Sequence, residues 1–271
     1  MIKKLQECLL CALCGALLSA CTIDAAAPKP VETAELVRAS TELPSKSPAR
    51  TSAKAHVELG NVYMQNGNNG VALDEARTAI AADSSYAPAH LLMAMVYASQ
   101  EQFSQARPAF EEATRLAPGD PVINDAYGWF LCSQGQEGQG LQRLELAARN
   151  PYYTTPTRAW TNAGWCLLRK KDDAGAEERF LRAVQADAGN VAALVSLADI
   201  AYRTDRLLRA KQWIDKAQQQ MKRVDVEVLW LATRIEKKLG NRDVVQAYGN
   251  KMRSEFPGSN EYQLYLQGKF E

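Results

Sequence analysis

The sequence predicts an all-α protein, a right-handed α-solenoid of about six stacked helical hairpins closed by a C-terminal capping helix. Two observations carry that expectation. Small and large apolar residues recur at a spacing of 34 positions from about residue 53 onwards. The chain of 271 residues is 46% hydrophobic and 23% charged, enough apolar content to fold as one extended domain or two small ones. A stack of hairpins uses such content well, because each pair of helices exposes an apolar stripe that only its neighbour covers.

Charge narrows the function classes. Lys and Arg total 32 against 31 Asp and Glu, and removing the first twenty residues takes away Lys3, Lys4 and Glu7 and leaves a neutral chain. A neutral chain has no electrostatic footprint for nucleic acid. Only two histidines are present, which argues against a His-built metal site or a catalytic His network. Composition points to binding a partner.

The N-terminus comes first in order. Lys3 and Lys4 precede an apolar run from Cys8 to Leu18. About 11 residues make roughly 16 Å of helix, too short for a bilayer core of about 30 Å. The run therefore reads as the h-region of a cleaved signal peptide, residues 1–20. It ends Leu18-Ser19-Ala20-Cys21, which resembles the lipobox of bacterial lipoproteins. That resemblance implies acylation of Cys21 and a durable lipid anchor without a transmembrane helix. An ordinary cleaved signal peptide is the other reading. Thr22 after the cysteine favours the outer membrane of a Gram-negative cell. Cys8, Cys11 and Cys14 fall in the discarded segment and read as apolar filler.

Residues 21–52 hold Pro28, Pro30, Pro44 and Pro48, many Ala, Ser and Thr, and no aromatic residue. Such a stretch buries little apolar surface and is expected to be a flexible tether spanning on the order of 30 Å. A short helix around Glu32 to Ala39 is the alternative for part of it.

Repeats are expected at about 53–86, 87–120, 121–153, 157–190, 191–224 and 225–260, with residues 154–156 as an insertion and one extra residue in the sixth. Leu59-Gly60-x-x-Tyr63, Met93-Ala94-x-x-Tyr97, Tyr127-Gly128-x-x-Leu131, Ala163-Gly164-x-x-Leu167 and Leu197-Ala198 mark the first helix of successive copies. These are tetratricopeptide-type repeats, with Gly60, Ala94, Gly128, Gly164 and Ala198 where the two helices of a hairpin approach most closely. Asn66-Gly67 and Asn69-Gly70 are expected to cap the end of the first helix in a left-handed conformation. Pro108 is expected near the start of a second helix, where a missing N–H is tolerated. The tail from Glu261 to Phe270 reads as the capping helix over residues 261–271.

No His-Glu-x-x-His, Gly-x-Ser-x-Gly or Walker-type loop occurs. Gly135, Gly138 and Gly140 form a glycine-rich stretch, but it occupies a turn between two repeat helices with no preceding strand. His56 and His90 share a repeat position, where packing is a simpler role than metal ligation. The sequence supports no enzyme, no cofactor and no small-molecule substrate.

In this repeat type the first helix of each hairpin lines the concave surface, with positions 5, 9 and 12 pointing inward. Those positions hold Val57, Asn61 and Met64, then Leu91, Met95 and Ala98, then Asp125, Trp129 and Cys132, then Thr161, Trp165 and Leu168. An apolar groove built from Val57, Asn61, Met64, Leu91, Met95, Trp129, Trp165 and Leu168 would dock a peptide or helix. The alternative is that the array curls until these side chains pack on each other or on the tether. Cys132 and Cys166 lie on the first helices of neighbouring repeats, close enough for a disulfide. Two free buried thiols are the alternative, which an oxidising compartment disfavours.

One family unites these features. The lipobox, the six repeats, Tyr127-Gly128-Trp129-Phe130-Leu131-Cys132, Pro151-Tyr152, Asn162-x-Gly164-x-Cys166 and Phe256-Pro257-x-Ser259-x-Glu261-Tyr262 occur together. The chain resembles the type IV pilus biogenesis/stability lipoproteins, the pilotins of the pilus secretin. The resemblance implies an outer-membrane lipoprotein on the periplasmic face that engages secretin subunits and helps them assemble, with other pilus assembly proteins as further partners. It departs from that pattern at Gly249 in the sixth repeat and in a longer, Pro-rich tether. A lipidated periplasmic adaptor for cell-wall hydrolases, or for another pilus or secretion apparatus, is the rival reading.

Overall fold

Short helices follow one another with little intervening chain. The computed structural model describes residues 35–45 and 47–271, so the proposed lipidation site Cys21 and the leader lie outside the described residues. Among the described residues there are thirteen helices and no strand. They form six antiparallel hairpins: α1 (Pro48–Gln65) with α2 (Asn69–Ala82), α3 (Ala87–Ser99) with α4 (Phe103–Leu116), and α5 (Pro121–Ser133) with α6 (Glu137–Ala148). The second three are α7 (Pro156–Arg169) with α8 (Asp173–Ala186), α9 (Val191–Arg203) with α10 (Leu207–Gln220), and α11 (Val226–Leu239) with α12 (Arg242–Glu255). A seven-residue α13 (Asn260–Leu266) packs on α11 and α12.

The helix starts are written in the sequence. Proline occupies the first turn of α1, α3, α5 and α7, where its absent N–H leaves nothing unpaired. Asp120 caps α5 by accepting from the amides of Val122 and Ile123, and Asn190 and Ser259 cap α9 and α13 in the same manner. Each hairpin turn then needs one residue with positive φ. Gly67, Gly135 and Gly240 meet that need without steric cost, whereas Glu101, Lys171 and Asp205 adopt φ of 58–60° at the corresponding turns.

Two local expectations are corrected. Gly70 is the second residue of α2 and not a cap; only Gly67 of that pair carries positive φ. Pro108 is the sixth residue of α4, beyond the first turn. Its missing N–H therefore removes a regular helical hydrogen bond, at an exposed position.

Core side chains sit between layers of neighbouring hairpins. Phe110 of α4 stacks on Tyr127 of α5 with ring centroids 5.2 Å apart and meets Phe130 at 4.8 Å. Small residues allow the closest crossing: a Cβ on Gly140 of α6 would lie 2.7 Å from the Gly128 carbonyl oxygen of α5 and overlap the Cys132 sulfur. Two glycines thus set the α5–α6 distance, and the disulfide sulfur fills the space they leave.

The N-terminal irregular segment does more than connect. α1 begins at Pro48, five residues before the expected repeat boundary, with Ser47 as its cap. Ahead of it, residues 35–45 run along the loops that join successive hairpins. Asn150 donates to Val37 O at 2.9 Å, the Ser40 amide donates to Asp120 Oδ2 at 2.6 Å, and Ala39 is buried. Arg38 lies over the Tyr152 ring at 5.3 Å. A Cβ on Gly119 would overlap the Glu35 carbonyl oxygen, so this glycine leaves room for the passing chain. Proline and alanine content suggested a tether here, but Asp120 and Asn150 offer partners to its backbone that composition does not reveal. Residues 35–39 are irregular and not helical.

Candidate functional site

First helices of consecutive hairpins lie side by side: α1 on α3, α3 on α5, α5 on α7. Because positions four and seven apart share a face, each contributes residues to a common hollow, from two on α7 to six on α3 and on α5. The result is a cavity of about 710 Å³, within the range of small-ligand or peptide-anchor pockets.

Six of the eight sequence-predicted groove residues line it: Val57, Asn61 and Met64 from α1, Leu91 and Met95 from α3, and Trp129 from α5. Val57 and Leu91 are buried and form the floor, Asn61, Met64 and Met95 are half-buried, and Trp129 is 38% exposed at the rim. The other two residues do not join them. Trp165 packs against Trp129 with centroids 5.9 Å apart, and its indole N–H donates to Ser196 on α9 at 3.1 Å. Leu168 packs into the core around Trp160, Leu167 and Phe180. Trp165 serves the contact to the next hairpin and Leu168 the core, so the groove ends at the α5–α7 boundary.

That end is polar. Asp125 is almost wholly buried and accepts from Arg158 Nε at 2.5 Å, Tyr153 Oη at 2.7 Å and Asn162 Nδ2 at 2.8 Å. Three donors satisfy the carboxylate, and all three come from α7 or the loop before it. Burial, followed by the neighbouring Asp125 charge, pushes the Tyr153 hydroxyl well above its ordinary value. Tyr153 therefore stays a neutral donor across the physiological range. Arg158 keeps half of its side chain in solvent, facing the hollow.

The same two helices are stapled lower down. Cys132 and Cys166 form a disulfide, with Cα atoms 5.5 Å apart and both residues fully buried. Cys132 and Thr161, at nominally inward positions, thus belong to the packing, and Ala98 and Asp125 to the cavity wall. The two histidines are partnered separately: His56 pairs with Glu75 at 2.6 Å and His90 with Ser84 O at 2.9 Å. Among the described residues no group of three His, Cys, Asp or Glu side chains is placed to hold a metal.

Sequence reasoning missed Phe103 and Phe110 from α4, Val122 and Phe130 from α5, and Thr41 from the N-terminal segment, all of which line the cavity. Phe110 and Phe130 read as core residues of their own repeat, and no periodic signal marks Thr41. Arg158 had a signal: it lies three residues ahead of Thr161 and seven ahead of Trp165, both read as inward, and so shares their helix face. The ensemble is an apolar hollow with two methionines, a tryptophan rim and one arginine end. Its chemistry is that of grasping an apolar segment.

Comparison with known proteins agrees with this architecture. The tetratricopeptide repeat family pattern matches residues 57–121. The type IV pilus assembly protein PilF of Pseudomonas aeruginosa is 28% identical over 215 residues, covering 79% of this chain and 85% of that protein. The solved structure of Pseudomonas aeruginosa PilF superposes with a TM-score of 0.74 at 27% identity, over 82% of this chain and 100% of that one. PilW, described as a widely conserved type IV pilus biogenesis factor, superposes with a TM-score of 0.73 at 26% identity, over 79% and 98%. The chain is an all-α tetratricopeptide-repeat solenoid homologous to PilF and PilW.

Proposed function

We propose that this protein is a non-catalytic pilus biogenesis factor that binds a subunit of the type IV pilus secretin in the α1–α5 cavity and promotes its multimerisation at the outer membrane. In this reading acyl chains on Cys21 hold the protein on the periplasmic face, and the array carries the secretin segment with it. The observation that carries the reading is the cavity itself. Met64, Met95 and Trp129 stand partly exposed around a buried Val57 and Leu91, in a chain homologous to a pilus assembly protein. Indole side chains are among the residue types that dominate binding energy at interfaces, and thioethers are over-used at adaptable binding surfaces. Covering them would also shield a sticky segment of the partner before it joins its ring.

The double substitution Met64→Asp, Met95→Asp tests it. Two carboxylates facing an apolar segment cost several kcal/mol on docking, so affinity for the purified secretin periplasmic region drops at least tenfold by calorimetry. Helix content and melting stay close to those of the parent, because both positions are only half-buried. In cells the yield of secretin multimers falls. Unaltered affinity and multimer yield in the folded variant would rule this site out. Retention of murein hydrolases in place of secretin on an envelope column would favour the adaptor reading.

A further inference from the structure

The C-terminal tail behaves as a bound peptide. α13 has seven residues and none of them is buried, and Gly268 then turns the chain with φ of 67°. The turn sends Phe270 back onto α9 and α11, the first helices of hairpins five and six. The Phe270 ring stacks on Trp230 with centroids 5.5 Å apart and meets the edge of Tyr265 at 5.9 Å. Lys237 Nζ lies 5.1 Å from the ring centre. The backbone is read as well, since Phe270 O accepts from Arg234 Nε at 3.2 Å and from Tyr202 Oη at 3.4 Å. Arg234 and Lys238 each lie 4.5 Å from the Tyr202 ring centre, which places three cations around one aromatic slot.

This is the layout of a peptide site: an aromatic shelf, two donors to a main-chain carbonyl and a cationic rim. It belongs to the same row of first helices that builds the α1–α5 cavity, but it is separate from it. Tyr262, Leu264, Tyr265 and Phe270 pack on Leu229, Trp230 and Met252, so the tail is held by apolar contact more than by its own helix or its polar bonds. A helix of two turns is marginal by itself, and the two hydrogen bonds are long.

We propose that Tyr202, Trp230, Arg234 and Lys237 form a second peptide-binding site, filled in cis by Phe270, whose ligand in trans is an extended segment with an aromatic residue beside an acidic one. Phe270-Glu271 is the resident copy of that ligand. The tail acts as a displaceable plug, and its effective concentration, about millimolar for a short connection, sets the affinity a competitor must reach. The site does not depend on the secretin reading above.

A fluorescein-labelled peptide copying residues 260–271 is the probe, and the full chain with Phe270→Asp is the receptor with its slot vacated. Anisotropy should show the peptide binding this variant at least tenfold more tightly than it binds the parent chain. A peptide with alanine in place of the phenylalanine should bind at least tenfold more weakly, as should the normal peptide to Phe270→Asp carrying Arg234→Ala. Equal affinity of parent and Phe270→Asp overturns the proposal, as does indifference to the aromatic residue. Phe270→Ala, which adds no charge, repeats the measurement should Phe270→Asp lower the melting point. Met64→Asp with Met95→Asp leaves peptide binding unchanged; a loss there would move the site away from α9 and α11.

Discussion

Gly119→Ala should detach residues 35–45 from the array while leaving the hairpins assembled. Gly119 does not need positive φ, so alanine fits its own backbone. The conflict is with the passing chain: the new Cβ overlaps the Glu35 carbonyl oxygen and lies 3.1 Å from its carbon and 3.3 Å from Val37 Cγ2. Backbone against backbone relaxes poorly, and overpacking of this kind costs about 1–3 kcal/mol. On the other side stand a charge-assisted bond from Ser40 to Asp120, about 1.5–3 kcal/mol, and an ordinary one from Asn150 to Val37, about 0.5–1.5 kcal/mol. Burial of Ala39 adds about 1 kcal/mol. The cost of ordering the segment opposes that gain, so the net hold is small against the clash. The strand of chain therefore lifts off. Amide exchange at Ser40 should accelerate at least tenfold, and trypsin should cut after Arg38 faster than in the parent. The array, losing only the partners of Asp120 and Asn150, should lose a few degrees of melting temperature. Parental protection of the Ser40 amide in Gly119→Ala would show that this contact does not hold the segment.

Further outcomes follow from the same geometry. Lys171→Gly and Glu101→Gly remove non-glycine residues from positive φ at exposed turns, and each should stabilise by about 0.5–1 kcal/mol in a denaturant melt. Cys132→Ser with Cys166→Ser opens a link between positions 34 residues apart and should destabilise by about 3–4 kcal/mol, read as a fall in the denaturation midpoint. Glu177 is held below the ordinary glutamate range first by the Arg206 hydrogen bond, with burial opposing and the Arg206 charge assisting. A depressed carboxyl stabilises above its unfolded pKa and loses that contribution as pH falls through the folded one. Glu177→Gln should therefore flatten the stability loss below about pH 4.5, and an unchanged acid limb would contradict the pairing.

Legibility differed by region for a physical reason. Repeats read well because each hairpin meets the same neighbours, so Ala94, Gly128 and Ala198 recur where helices cross. Six groove residues were legible because helical periodicity alone puts Val57, Asn61 and Met64 on one face. Trp165 and Leu168 have the same periodicity but turn elsewhere, Trp165 to Ser196 of the next hairpin and Leu168 into the core around Phe180. Only the relation between successive hairpins decides that, and one-dimensional spacing does not encode it. Residues 35–45 lack any period, and their partners Asp120 and Asn150 read as ordinary loop residues. The Phe270 slot was hidden because the tail reads as helix to its end, whereas Gly268 breaks it.

The route of residues 35–45 has a mechanical consequence. A pull applied at Glu35 enters the molecule at the loops around Gly119 and Asn150, in the middle of the array and not at its first hairpin. The bonds of Val37 to Asn150 and of Ser40 to Asp120 then stand between that pull and α1. The cavity wall built on α1 keeps its shape under drag for as long as that clasp lasts.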